Sequence, residues 1–244
     1  MSIMCCVYTP DGIVLAADSR LTRTRTTNIT SSKENDNTEK ITIENTTYTL
    51  SDNAQKVLLI KKNAIGISFC GQAFIDGVNI SDFIRKFEIK HINEEDSTEV
   101  VANKLKEYFC NIDTIFFICG YDKDTPYVYK LYKDDMQRIN IKNKNIDKAI
   151  KMEQEESNQE EICFGATWSG QPYAITKLLN NKPPLNANYN IMPLKDAIDF
   201  AEFLIDLTIK HERFCDDIQT CGGPIDILLI TKDEALWVKH KIYK

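Results

Sequence analysis

No stretch of this 244-residue chain approaches the ~18 consecutive apolar residues that a membrane-spanning helix requires. The first residues carry neither a basic segment nor a long apolar core, so they do not read as a secretory signal. Positive charge is in deficit. Asp and Glu number 36 against 30 Lys and Arg, for a net charge of −6 and a pI near 5.2. That balance argues against a general nucleic-acid binder or a protein of anionic membranes. The 8 cysteines include no CxxC pair, and Cys70 and Cys119 sit inside apolar, strand-like runs. Without an export signal, the expectation is reduced, mostly buried thiols in the cytoplasm. His211, Cys215 and Cys221 match no common zinc spacing, so no metal is expected. There is no internal repeat.

What is present suffices for one layered domain spanning 1–244, with 43% hydrophobic residues to fill its core. Residues 3–8 and 13–18 read as strands joined by the Thr9-Pro10-Asp11-Gly12 turn. Residues 21–53 are rich in Thr, Asn, Ser and charge. They read as a polar insertion, mostly loop, with 40–44 and 47–50 able to pair around Asn45. Strands follow at 56–60 and 64–70. A helix is expected after Gly71, with Ala73, Gly77, Ile80, Ile84 and Phe87 on its buried face. Ser97 caps a second helix. Further strands read at 114–120, 127–132, 137–141 and 161–166, with a polar surface loop over 142–160. A short helix near 172–180 and a long one from Pro193 to about His211 precede strands at 224–231 and 235–239. Runs of strands alternating with pairs of helices indicate an α+β fold rather than a doubly wound one.

The chemistry is concentrated near the start. Ser2 follows Met1, and removal of Met1 exposes an amino-terminal serine ahead of the run Asp11-Gly12-Ile13-Val14-Leu15-Ala16-Ala17-Asp18-Ser19-Arg20. Serine hydroxyl is a weak nucleophile that needs a base, and a free α-amino group of pKa ~8 can serve, directly or through a water. Read singly, each residue also has a structural explanation. Asp18 to Arg20 can be a surface turn, Lys56 a solvated lysine and Gly71 a tight turn. Asp226 in an apolar strand suits a buried hydrogen-bonding role better than catalysis, and Trp168 suits packing.

Taken together, these segments resemble the proteasome β-type subunit family, in a bacterial, proteasome-like form. The DGIVLAADSR run, Asn53-Ala54-Gln55-Lys56-Val57, the apolar strand ending at Gly71, Phe164 to Gly170, and Cys221-Gly222-Gly223-Pro224-Ile225-Asp226 occur in the family's order. The resemblance implies the N-terminal nucleophile (Ntn) hydrolase fold: a four-layer αββα sandwich of two antiparallel sheets flanked by helix pairs. It implies a peptidase with Ser2 as nucleophile and with Lys56, held charged by Asp18, stabilising the alkoxide. Gly71 would supply an oxyanion-hole N–H, and Ser169 would lie beside the terminal amine. No cofactor is implied. The partners implied are polypeptide substrates, a homo- or hetero-oligomeric ring and an ATP-dependent unfoldase.

Three departures accompany the resemblance. The nucleophile is Ser where the family has Thr. Fifty-three residues lie between Ser2 and Lys56, more than usual, the excess being the 21–53 insertion. The family's Asp three residues before its Ser-Gly-Gly serine has no direct counterpart, because Ile218 stands there and Cys221 replaces the serine. A one-residue bulge would bring Asp217 into place. Two alternatives carry the same fold: a non-catalytic ring subunit, which in the family bears an extension ahead of its first strand, and an amidohydrolase acting on a small amide.

Overall fold

Alternation along the first two strands decides the architecture. The computed structural model describes residues 2–33, 36–142, 161–182 and 184–241, and for 28–42 the backbone alone. β1 (Ile3–Thr9) and β2 (Gly12–Ala17) are buried at every position and joined by the Pro10–Asp11 turn. Successive side chains point to opposite faces, so each strand feeds two cores. Ile3, Cys5 and Val7 enter one apolar cluster, and Met4, Cys6 and Tyr8 enter another.

The chain continues through β3 (Leu21–Lys33), β4 (Asp36–Ser51), β5 (Val57–Ile60), β6 (Ile65–Gly71), and the two-residue β7 (Phe74–Ile75) and β8 (Val78–Asn79). Helix α1 (Ile80–His91) starts where the Asn79 side chain accepts from the Ser81 N–H. Helix α2 (Thr98–Tyr108) starts where Ser97 Oγ accepts from Val100 N–H. Strands β9 (Thr114–Asp122), β10 (Thr125–Tyr132), β11 (Asp135–Arg138) and β12 (Gly165–Gly170) follow. Helices α3 (Tyr173–Asn180) and α4 (Leu194–Arg213), then β13 (Asp226–Ile230) and β14 (Ala235–Lys239), complete the described chain.

One five-stranded sheet has the order β12-β1-β2-β13-β14, the other β11-β10-β9-β6-β5. All of their pairings are antiparallel. Leu15, Leu228 and Ile230 of the first sheet share a cluster with Val57, Phe117 and Val128 of the second. Ile67, Phe69 and Phe116 pack with Ile84 and Phe87 of α1 and Val101 and Leu105 of α2. Ile3, Val14 and Ile227 pack with Ile175 of α3 and Ala201, Leu204 and Ile205 of α4. The fold is therefore mixed α/β, dominated by two sheets with four α-helices among the described residues.

Three local expectations need correction. Residues 21–33 and 36–51 do not form a loop with a small hairpin around Asn45. They form one long antiparallel ribbon pairing Leu21 with Ser51 and Lys33 with Asp36, so Ile43 faces Asn28 and Thr47 faces Thr24. Threonine suits an extended backbone, and such a ribbon needs no apolar face to be paired. The helix expected after Gly71 begins only at Ile80. Ala73 precedes β7, and Gly77 sits in the Asp76–Gly77 turn between β7 and β8. The strand expected at 161–166 runs over Gly165–Gly170, leaving an isolated bridge at Ile162 to Ile141. The loop expected over 142–160 lies, beyond residue 142, outside the described residues.

Candidate active site

The site is built where β2 ends and the chain must turn away from the sheet. Asp18 lies there, fully buried, and a buried carboxylate is tolerated only if its oxygens are satisfied. Its Oδ1 accepts from the Ile3 N–H at 3.0 Å and from Lys56 Nζ at 2.6 Å. Its Oδ2 accepts from the N–H groups of Arg20 at 3.1 Å and Gly222 at 3.0 Å. Lys56, 4% exposed, gives a second hydrogen bond to the Arg20 carbonyl at 2.6 Å. The lysine is thus held by a charge and a carbonyl, with its ammonium facing the start of β1.

A second ion pair braces this one from outside. Arg20 Nε and Nη2 grip the two oxygens of Asp52 at 2.7 and 3.1 Å, and Nη1 reaches the Gln219 carbonyl at 3.3 Å. Arg20's hydrogen bond holds the Asp52 carboxyl below the usual carboxylate range, against a smaller opposing effect of burial. The guanidinium fits because residue 222 is glycine: a Cβ there would meet its atoms at 2.7–2.9 Å. The Ser19 N–H donates to the Gly222 carbonyl at 2.9 Å. The base of the β3–β4 ribbon, the end of β2 and the 219–222 segment are therefore one unit.

Ser2 is buried and stands at the edge of this unit. Its carbonyl accepts from the Gln171 N–H at 2.8 Å. Gly170 lies against it with φ of +111°, and a Cβ there would come within 1.9 Å of the Ser2 oxygen. Only glycine meets both conditions. Pairing of β1 with β12 sets Ile3 opposite Gly170 and Met4 opposite Ser169. Ser169 is buried in β12 beside the start of β1.

Ser2, Lys56 and Gly71 line one cleft of about 280 Å³, together with Leu21 to Thr24 and the rest of Phe69 to Phe74. Of the residues singled out in the sequence, Ser2, Asp18, Lys56, Gly71 and Ser169 are thus assembled around the start of β1. Asp217 is not among them. It lines a separate pocket with Tyr173, His211, Glu212 and Cys215. The carboxylate that braces the loop before Gly222 is Glu212 of α4, which accepts from the Thr220 N–H and the Cys221 N–H, both at 2.7 Å. Thr220 Oγ1 in turn accepts from Gln171 Nε2 at 3.2 Å, linking Glu212 to the residue that holds the Ser2 carbonyl.

The thiols nearby are poor rivals to the Ser2 hydroxyl. Burial pushes the Cys70 thiol up to about 12. Burial, then the charges of Asp18 and Glu212, push Cys221 higher still. Trp168 and Asp226 do what their structural explanations suggest. Trp168 packs against α3 with its N–H on Thr176 Oγ1. Buried Asp226 accepts from the Lys241 N–H at 3.2 Å and pairs with its ammonium. Among the described residues, no group of three His, Cys, Asp or Glu side chains is placed to hold a metal ion.

Sequence reasoning missed Arg20, Asp52, Glu212 and Gln171. Arg20 lies within the run that marked Asp18, but its partner lies 32 residues away across the ribbon. Glu212 sits in a helix where its spacing carries no signal.

No protein-family model matches the chain, and no curated protein matches it. Its fold is similar to that of a Gly-1 mutant of Anbu from Hyphomicrobium sp. strain MC1. The two share 14% identity over 99% of this chain and 86% of that one, with a TM-score of 0.56. At that identity the likeness bears on the fold alone.

Proposed function

We propose that this protein is a proteasome-like peptidase of four-layer αββα architecture, with Ser2 as its amino-terminal nucleophile once Met1 is removed. The observation that carries the reading is the buried Lys56–Asp18 pair beneath a cleft that also presents Ser2 and Gly71. A buried ion pair costs desolvation and rarely adds stability over apolar packing. One that opens onto a serine at a cleft is better explained by chemistry.

In this reading the free Ser2 amine takes the hydroxyl proton as Oγ attacks the substrate carbonyl. Lys56 stabilises the developing alkoxide, and the Gly71 N–H side of the cleft receives the oxyanion. Collapse expels the amine product, which takes the proton, and leaves an acyl ester on Ser2. Water, deprotonated by the same amine, then hydrolyses the ester. Asp18 positions Lys56. Ser169 lies beside the amine, and Glu212, rather than Asp217, steadies the loop behind it. The subunits are proposed to assemble in an oligomeric ring, which would shield such a site from bystander proteins.

Intact mass of active protein is expected to begin at Ser2. Ser2→Ala should abolish peptide hydrolysis while leaving native mass and unfolding midpoint unchanged, and Lys56→Ala should lower kcat/KM by ~10²-fold or more. Full activity with Met1 retained, or in Ser2→Ala, would sink the mechanism. Hydrolysis of small amides but no peptides would move the protein to the amidohydrolases.

A further inference from the structure

The charges around the cleft are unbalanced in a way the proposed chemistry does not use. Three cationic residues line it, Arg20, Arg23 and Lys56, and no Asp or Glu does among the described residues. Two of the three are neutralised from behind: Lys56 by Asp18 and Arg20 by Asp52. Arg23 has no ion pair among the described residues. It is exposed at the mouth on β3, between Thr22 and Thr24. Gln55 also lines the cleft, and its side-chain carbonyl accepts from Arg85 Nη2 at 3.0 Å. Arg85, also exposed, likewise has no ion pair among the described residues. The carbonyl of Gln55 is thereby occupied, and a second guanidinium stands behind it. The other lining residues, including Leu21, Ala54, Phe69 and Phe74, are apolar or uncharged.

A cleft with no carboxylate in its lining and an unneutralised guanidinium attracts one charge and repels the other. The excess stands out because the protein as a whole is acidic, at −6. The geometry points to Arg23 as a specificity-determining residue that selects peptides bearing a carboxylate close to the bond to be cleaved, with Arg85 reinforcing the preference. This rests on the peptidase reading, since it names the substrate class of the same cleft. A guanidinium suits the task because its planar fork can take both oxygens of a carboxylate. The carboxylate could belong to an Asp or Glu side chain or to a peptide's own C-terminus.

The test measures binding first. Amidated hexapeptides carrying a neutral dye and Glu, Gln or Lys at one central position are titrated onto the Ser2→Ala protein. A fourth peptide has Gln and a free C-terminus. Glu is expected to bind about 3–5-fold tighter than Gln at low salt, the ratio of an exposed charge pair, falling towards unity near ~0.5 M salt. Arg23→Ala should erase that ratio, and Arg23→Glu should invert it in favour of Lys. Tighter binding of the fourth peptide alone would assign the preference to the terminal carboxylate. Equal binding of all four, or a Glu preference that survives Arg23→Ala, overturns the inference. Cleavage of the same peptides by the Ser2 protein separates the two proposals. Preferential binding without cleavage leaves the charge selection standing and removes the peptidase reading. Cleavage with no acidic preference does the reverse.

Discussion

β1 and β3 both pair antiparallel, in different sheets, and are held by opposite means. β1 is buried at every position and contributes side chains to two apolar clusters. β3 and its partner β4 leave Arg23 to Thr27 and Ile43 to Thr46 exposed. Their side chains hold each other across the ribbon, as in the Thr24–Thr47 hydroxyl contact at 2.9 Å and the bond from Thr26 Oγ1 to Asn45 Oδ1 at 2.8 Å. An isolated two-stranded ribbon is marginal in water. This one is clamped at its base by Arg20 and Asp52 and leans on cross-strand pairs of a few tenths of a kcal/mol each. Backbone pairing is common to both strands. What differs is whether removing the side chains would leave a buried hole or only wet surface. The site sits at the seam, with Asp18 following the equally buried β2 and Leu21 to Thr24 starting the exposed strand.

The contrast breaks most sharply at Asp18. Asp18→Ala strands the Lys56 ammonium and three backbone N–H groups without their acceptor. The expected loss is ~3–5 kcal/mol, read as a lowered urea midpoint. Asp18→Ala/Lys56→Met should recover part of that loss, because the uncompensated charge is gone. A loss below ~1 kcal/mol would mean that water reaches the pair, and the burial described for it would not hold.

The exposed ribbon should respond weakly to a far larger change. Replacing 27–44 by Asn-Gly joins Thr26 to Asn45, which are already opposite each other, through a two-residue hairpin turn. Global stability is expected to shift by no more than ~1 kcal/mol, since loop-closure cost changes slowly with length. The Asp18–Lys56 unit should be untouched, while native mass or substrate size preference should change. Unfolding of the shortened protein would place the ribbon in the core.

The smallest effect is expected at the clamp between the two regions. The Asp52 carboxyl is depressed in the folded protein by Arg20. Its contribution is therefore present above the ordinary carboxylate value of ~3.9 and is lost as pH falls through the lower, folded one. The pair is partly exposed, so the contribution is ~0.5 kcal/mol or less. Asp52→Asn should flatten that part of the stability profile below about pH 4 and leave the neutral plateau lowered by the same amount. An unchanged acid limb would mean that Arg20 is held by the Gln219 carbonyl alone.

Much of the frame was legible because burial writes itself into residue order. The strands expected at 3–8, 13–18, 56–60, 64–70 and 114–120, the Ser97 cap and the long helix beginning after Pro193 stand where their patterns place them, whereas the strand expected at 161–166 lies four residues later. The ribbon was not legible. Thr, Asn and Arg alternate there without an apolar face, so periodicity carries no sign of extended pairing. The helix after Gly71 was placed at least seven residues too early, because Ala73 and Gly77 happened to fit its spacing while the Asp76–Gly77 turn went unread.

For the candidate site, residue types near the start of the chain determined the chemistry available: a serine two residues in, an Asp ending an apolar strand, a Lys opening another. Those choices are local, and sequence records local choices. Which carboxylate braces the loop behind Ser2 was decided only in three dimensions. Asp217 lies close in sequence to Gly222 but faces another pocket, whereas Glu212, on the last turns of α4, is carried to Thr220 and Cys221 by the packing of that helix. The Arg20–Asp52 clamp and the uncompensated Arg23 are likewise products of the fold. They depend on which charges meet across 31 intervening residues, a distance over which residue order alone carries no pairing information.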